Sequence, residues 1–245
     1  NVVVHSLVLP SKHHDSIVWL GHATFVITVS GVRIITDPIL CGIWPLKRYS
    51  DLPIDVHQLV DIDIILLSHN HRDHAEKKSM KKITALNPSA IIYTGLQINK
   101  LLDGWSIQNK VITAGWYQSY PAVSDDLQID YLPAKHWCRR YLHDLNEMLW
   151  GSFMISSDKK CIYFGADSGM GDHFATIGSM YNIDIAIIGI GAYEPVWFMS
   201  DSHSSPAEAL EIKSILKADR LIPMHYGTFD LSDEPIDNPK VQLLK

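Results

Sequence analysis

Cysteine, excess positive charge and long hydrophobic runs are all scarce in this sequence. The three cysteines among 245 residues, Cys41, Cys138 and Cys161, are too few and too irregularly spaced for a disulfide framework, which indicates free thiols in a reducing compartment. The formal net charge of −6 gives no general attraction to polyanions, so we expect no nucleic acid partner. We find no secretory signal and no run approaching about 18 uncharged apolar residues, and these absences predict a cytoplasmic protein.

The chain also lacks an evident linker, low-complexity tract or short-period repeat, so we expect one domain that covers residues 1–245. An apolar fraction of 47% and a charged fraction of 20% are ordinary for a globular protein. Ten short apolar runs have the length and the β-branched composition of buried strands: SIVWL, TFVITV, VRIITD, DIDIILLSH, AIIYT, QIDYLPAKH, SFMISS, CIYFGAD, DIAIIGIG and RLIPMHYG.

Two segments between these runs have helical patterns, over residues 74–87 and 204–217. The second has Ser205 as its N-cap and Glu208 as the partner in a capping box, in which each side chain binds the backbone N–H of the other residue. Strands and helices in this order predict an α/β protein whose helices lie outside its sheets.

Four potential metal ligands are concentrated in LSHNHRDHA, residues 67–75, directly after the apolar run IDIILL. If the strand extends into this segment, His69 and His71 point to the same side. Asp73 and His74 follow at the turn into the predicted helix, so the cluster lies at the carboxyl end of a buried strand, where α/β proteins place their ligands. Imidazole and carboxylate groups suit zinc, iron or manganese. Four ligands this close fit two ions better than one; the alternative is a polar turn that happens to be rich in histidine.

Three further residues of ligand type each end an apolar run. His136 ends IDYLPAKH, Asp167 ends CIYFGAD and His225 ends RLIPMH. Taken alone, each would more often be a loop or core residue. Together with the first cluster, they complete two sets of about four ligands if Asp167 bridges the ions.

Longer motifs around these ligands resemble the metallo-β-lactamase superfamily, and in particular its N-acylphosphatidylethanolamine-hydrolysing phospholipase D branch. The H-x-H-x-D-H spacing is shared across the superfamily. HWC, GAYEPVWFM and HYGTF are more specific to this branch, and the match also includes WLGHATFVI, TDPI, LWGSF, FGADSG and SPAEAL. The resemblance runs from about Val18 to Phe229.

This resemblance implies a four-layer αβ/βα sandwich with two metal ions at one edge, usually zinc, although manganese and iron also suit the ligands. One ion would be held by His69, His71 and His136. The other would be held by Asp73, His74 and His225, and Asp167 would bridge the two ions together with a water or hydroxide.

The resemblance also implies roles for residues beside the metals. Asp37, in TDP, would orient a ligand histidine, although a turn-forming aspartate before proline fits the sequence equally well. His203 would lie by the active site and take part in catalysis together with Asp73 and Asp167.

Other residues near the motifs have less specific expectations. The aromatic residues Tyr193, Trp197 and Phe198 follow a buried strand and are expected to wall the substrate cleft. His22, in GHAT, is expected to be structural and hydrogen-bonded near the first strand. Cys138 lies two residues from a predicted ligand, and we expect it to pack rather than to bind metal.

The activity implied by the resemblance is zinc-dependent hydrolysis of phospholipase D type, in which the bond between phosphate and the N-acylethanolamine oxygen is cleaved. The substrate would be a phospholipid, and the protein would contact a membrane surface and form a homodimer. A lactonase or phosphodiesterase for small substrates, similar to ascorbate-6-phosphate lactonase, is a second interpretation. A non-catalytic metal-binding module is a third. A long apolar groove would favour the lipid, and a small polar pocket would favour the second interpretation.

Overall fold

The first of two sheets has its six strands in chain order in the computed structural model, which describes residues 7–245. Strands β1 to β3 are antiparallel, and strands β3 to β6 are parallel. The strands are β1 (Ser16–Gly21), β2 (Thr24–Val29), β3 (Val32–Thr36), β4 (Ile64–Leu67), β5 (Ile91–Gly95) and β6 (Val111–Ala114).

The second sheet has the order β12-β11-β10-β9-β8-β7. Strands β10 to β12 are parallel, whereas strands β7 to β10 are antiparallel. The strands are β7 (Gln118–Ser119), β8 (Leu127–Leu132), β9 (Ser152–Ser157), β10 (Cys161–Phe164), β11 (Ile185–Gly189) and β12 (Arg220–Met224).

Strand β4 is apolar at every position because both of its faces are covered. In β4, Ile64 and Leu66 join the core between the two sheets, whereas Ile65 and Leu67 join the core beneath the outer helices. The result is four layers, with helices on the outer face of each sheet, as the sequence predicts. The helices are α1 (Lys77–Leu86), α2 (Ile98–Asp103), α3 (His173–Met180), α4 (Val196–Met199), α5 (Pro206–Ile215) and α6 (Asn238–Leu243), and a 3₁₀ turn spans Val56–Gln58.

The ten predicted runs all form strands, and the predicted capping box at Ser205 and Glu208 is confirmed. The short strands β6 and β7 were not predicted, because neither has a run of apolar residues long enough to distinguish it from a loop. The helix predicted over residues 74–87 begins only at Lys77, because Glu76 is its N-cap. The Glu76 carboxylate accepts hydrogen bonds from the backbone N–H groups of Lys78 and Ser79. Among residues 7–245, no helix is both long and apolar enough to cross a membrane.

Candidate metal centre

The histidine-rich segment after β4 is a turn and not an extension of the strand. β4 ends at Leu67, and the backbone N–H groups of His74 and Ala75 both donate to the carbonyl of His71. The guanidinium of Arg140 holds this turn from outside, because it donates to the carbonyls of Asn70 and Ala75 at 3.0 and 2.8 Å. The sequence predicted that alternation along an extended strand would turn His69 and His71 to the same side, but the strand ends at Leu67. The two rings do lie together, and it is the turn that places them so.

Three imidazole nitrogens converge in the first group of predicted ligands. The Nδ1 atom of His71 lies 3.0 Å from Nε2 of His69 and 3.0 Å from Nε2 of His136. His136 is oriented by its other ring nitrogen, which lies 3.0 Å from the carbonyl oxygen of Ser202. Burial is the main reason that the pKa values of His69 and His136 lie well below the usual value, so these rings are neutral. Neutral imidazoles whose nitrogens face one another can all bind a single cation.

The second group contains two carboxylates between two imidazoles. Nε2 of His74 lies 3.1 Å from Oδ2 of Asp167, and Nε2 of His225 lies 3.2 Å from Oδ1 of the same carboxylate. Oδ2 of Asp73 lies 3.4 Å from both of these nitrogens. Oδ2 of Asp167 is also 3.9 Å from Nε2 of His69, so this carboxylate stands between the two groups, where a bridging ligand would be required.

The chemistry of these atoms fits divalent cations. Nε2 of His74, Nε2 of His225 and Oδ1 of Asp167 are buried without a hydrogen-bonding partner. Burial alone would raise the pKa of Asp167, but the neighbouring His225 and His74 hold it well below its usual value. In the opposite direction, burial disfavours a charged His225, yet Asp167 and Asp73 raise its pKa to about 9. The carboxylates thus favour a positive charge in the site, here a proton on the imidazole of His225. A bound metal ion would take the place of this proton.

Asp37 connects the two groups through hydrogen bonds, as a residue that orients ligands should. Its carboxylate accepts from the backbone N–H of Ser68 at 2.8 Å, from the hydroxyl of Ser68 at 2.6 Å and from Nδ1 of His74 at 2.8 Å. The Ser68 hydroxyl oxygen also lies 2.9 Å from Nδ1 of His69. A proton on Nδ1 of each imidazole leaves the Nε2 lone pair free for a metal.

We expect Asp37→Asn to weaken metal binding by about 10- to 100-fold, the usual effect of losing a hydrogen bond that orients a ligand. Asp37 has a φ of 32°, a conformation that asparagine tolerates better than most residues, so the fold should persist. The amide NH₂ would face the Nδ1–H of His74 and favour the tautomer that cannot bind metal. Competition with a chelating dye measures the affinity, and an unchanged dissociation constant would contradict this role.

His22 is part of the centre, although its sequence context predicted only a structural role. Its Nε2 atom lies 3.1 Å from Oδ2 of Asp73, and its ring is 4.0 Å from the ring of His225 between centroids. Burial lowers its pKa to about 3, so His22 is neutral and donates its N–H to the carboxylate. Its backbone is fixed by Thr228, whose hydroxyl accepts the N–H of His22. This contact joins residues 206 positions apart, so no local signal could reveal it.

A cleft of about 310 Å³ opens above the ligands. It is lined by His71, Arg72, Asp73, His136, Trp137, Arg139, Asp167, Ala192, Met199, His203, His225 and Leu231.

Nδ1 of His203 lies 3.8 Å from Oδ2 of Asp167, and burial lowers the pKa of this histidine to about 4. His203 is therefore neutral at pH 7, and its ring has one N–H that can donate a hydrogen bond.

The predicted aromatic wall is divided between the interior and the surface. Tyr193 is buried, and its hydroxyl accepts a hydrogen bond from Asn238. Trp197 and Phe198 are 84% and 64% exposed, and of this segment only Met199 lines the cleft together with Ala192. Contact of the three aromatic residues with substrate stays a prediction. Cys138 is fully buried and joins none of the groups of metal-ligand atoms in the described chain, as expected for a packing residue.

Comparison with known proteins agrees with the resemblance that the sequence motifs indicated. The family model described as the β-lactamase superfamily domain matches residues 32–226. The N-acyl-phosphatidylethanolamine-hydrolyzing phospholipase D 1 of Caenorhabditis elegans is 34% identical over 93% of this chain and 69% of its own length. The mitochondrial enzyme of the same name from Saccharomyces cerevisiae is 31% identical over 92% of this chain, which spans only 50% of the yeast protein.

Among solved structures, the metallo hydrolase Igni18 from Ignicoccus hospitalis has a similar fold. The TM-score is 0.69 at 22% sequence identity, and the match covers 93% of this chain and 89% of Igni18. At this identity the likeness concerns the fold alone.

Proposed function

This chain belongs to the metallo-β-lactamase superfamily and is a metal-dependent hydrolase, and on that premise we propose that it uses two zinc ions to cleave phosphodiesters of the N-acylphosphatidylethanolamine class. The observation that carries the proposal is the Asp167 carboxylate, which stands between two groups of buried histidines. The similarity to two phospholipases D of this class supports the substrate.

The residues of the chain divide the work of such a reaction. Two ions in this centre would lower the pKa of a bound water towards neutrality and offset the charge that develops on the phosphoryl oxygens. Asp73 and Asp167 remain ionised and would hold the ions, while Asp37 and His22 keep the predicted ligands in position through hydrogen bonds. Water adds to phosphorus, the bond from phosphorus to the N-acylethanolamine oxygen breaks, and that oxygen takes up a proton. His203, whose ring lies at the cleft, can donate a hydrogen bond to the departing oxygen, while the proton that this oxygen takes up comes from the attacking water.

A panel of substrates with and without chelator tests the proposal. We expect hydrolysis of N-acylphosphatidylethanolamine to release phosphatidic acid and N-acylethanolamine, to stop with a chelator and to return with zinc. Elemental analysis should find about two zinc ions per chain. A protein with two ions that cleaves small lactones but no diester would be a lactonase. A metal-loaded protein that is inert against the whole panel would be a binding module.

The cleft is small for a lipid, since a volume of about 310 Å³ is at the lower end of the range for small-molecule sites. The acyl chains would therefore extend over the surface beside it. Exposed apolar side chains are present in segments that adjoin the lining residues, including Trp44 at 91%, Leu142 at 96% and Trp197 at 84% exposure. These side chains support contact with a membrane surface. The resemblance supports a homodimer as the working form, and light scattering would measure its mass. The sparse cysteines support a reducing compartment such as the cytoplasm.

We expect Trp197→Ala to lower kcat/KM about 10- to 100-fold for a long-chain substrate in vesicles, because burying a large apolar side chain in apolar surroundings contributes on the order of 1.5–3 kcal/mol. Short-chain soluble substrates should be unaffected. Met180→Ala is the matched control, because Met180 is 51% exposed on the outer helix α3. Equal losses on long and short substrates would show that Trp197 is structural.

A further inference from the structure

The lining of the cleft divides into two unlike sets of side chains. Ala192, Met199 and Leu231, which follow β11 and β12, are apolar. Arg72 and Arg139 are cationic and come from the turn after β4 and the segment after His136. Both arginines are exposed, and neither guanidinium makes a hydrogen bond or an ion pair with any residue of the described chain. The chain as a whole has a net charge of −6, so the two arginines place positive charge beside the metal centre of a chain that is acidic overall.

The neighbouring Arg140 provides a contrast within the same segment. It is used for structure: its guanidinium donates to Asn70 and Ala75 and stacks on Trp105, with Cζ 4.8 Å from the ring centroid. Arg139, one residue earlier, points to the cleft. Structural needs therefore account for one of the two adjacent arginines and leave the other available to a ligand.

Trp137 connects Arg139 to the metal centre. Its ring centroid is 4.5 Å from that of His71, and Cζ of Arg139 lies 5.8 Å from the Trp137 ring. Arg72 lies between the predicted ligands His71 and Asp73 in the chain. Both guanidinium groups thus belong to the part of the cleft beside the centre.

The net charge of the metal centre and the two arginines determines which class of substrate the cleft favours. Two divalent ions carry more positive charge than the carboxylates of Asp73 and Asp167 can neutralise, and two guanidinium groups add to this excess. A neutral ester or lactam would leave the excess unbalanced, whereas an anionic phosphodiester would offset it. Guanidinium also matches the geometry of phosphate oxygens better than ammonium does.

We propose that Arg72 and Arg139 determine specificity for anionic phosphodiesters by binding a phosphoryl oxygen that does not face the metals. The inference rests on the proposed function, since it names the groups that select its substrate class. Both residues act on substrate binding, so their loss raises KM for the diester more than it lowers kcat.

Two substrates with the same leaving group test this role in the zinc-loaded enzyme: bis(4-nitrophenyl) phosphate, which is anionic, and 4-nitrophenyl acetate, which is neutral. Arg72→Met and Arg139→Met should each raise KM for the diester about 10- to 100-fold, the usual effect of losing a hydrogen bond to a charged group. Hydrolysis of the acetate and the zinc content should not change. Arg→Lys at either position should recover only part of the loss. Arg220→Met is the matched control, because Arg220 is also exposed and unpaired in the described chain but lies at the start of β12, away from the cleft lining.

The outcomes separate this inference from the proposed function. Diester KM within twofold of wild type in both methionine variants would overturn the inference, and so would equal losses on the acetate. If the wild-type enzyme cleaves no diester, the proposed function fails. Calorimetric titration with the same diester then still decides the role of the arginines, because weaker binding to the variants supports it and unchanged binding overturns it.

Discussion

Replacing Asp167 with alanine should remove both metal ions and lower diester hydrolysis by about a thousandfold or more, since each ion contributes several kcal/mol to transition-state stabilisation. Its carboxylate lies 3.1 Å from Nε2 of His74 and 3.2 Å from Nε2 of His225, and it also reaches the first group of histidines at 3.9 and 3.8 Å. No other carboxylate of the described chain lies this close to both groups.

His225→Ala provides the comparison, because His225 approaches only the second group. We expect this variant to keep about one ion per chain, whereas Asp167→Ala keeps less than one. Asp158→Ala, at an exposed turn, controls for the general effect of losing a carboxylate. Elemental analysis of the three proteins after identical purification is the measurement. Two retained ions in Asp167→Ala would show that Asp167 does not bridge.

The second large effect is expected for His203→Ala, which should keep two ions and its fold while losing about 10²- to 10³-fold in turnover, the usual effect of losing a hydrogen-bond donor to a developing charge. The imidazole lies at the cleft and is 5.1 Å from the ring of His136 between centroids. Negative charge develops on the departing oxygen, and the N–H of the neutral His203 ring can stabilise this charge by a hydrogen bond.

A diester with a nitrophenyl leaving group should recover part of this loss, since nitrophenolate leaves without help from a proton donor. His203→Gln, which keeps an N–H donor, should also recover part of the turnover on the poor leaving group. Loss of metal in His203→Ala would make His203 a ligand, which its grouping with His136 and Asp167 allows geometrically. Equal losses on good and poor leaving groups would make it a residue for substrate binding alone.

The sequence predicted the parts of this protein in which chemistry follows a strong local pattern. Runs such as IDIILL identify strands because both sheet faces are buried. Asp167 and His225 are predicted as ligands because they end such runs, and the structure brings both into one cluster of ligand-type atoms. β6 and β7 lack that pattern and were missed.

Side-chain direction was less predictable than position. The turn after β4 depends on Arg140, which lies 65 positions beyond Ala75, so the ending of the strand at Leu67 could not be read locally. The same reason applies to His22, whose role depends on a distant contact with Asp73. Tyr193 was expected to wall the cleft; its side chain is buried and its hydroxyl accepts a hydrogen bond from Asn238, a partner 45 positions away that the sequence does not reveal.

The predicted metal ligands come from opposite halves of the sandwich. His69, His71, Asp73 and His74 follow β4 of the first sheet, whereas His136, Asp167 and His225 follow β8, β10 and β12 of the second. Metal ions in this position would link the two sheets at one edge of the sandwich. Among the described residues, the two sheets share no strand, so the ions would add a connection that the backbone hydrogen bonds do not make. Resistance to heat would then rise with free zinc concentration, because a ligand that binds only the folded state stabilises it by mass action. Without the metals, the same edge would be where the two halves first separate, since the carboxylates and imidazoles there would have only one another to balance their charge.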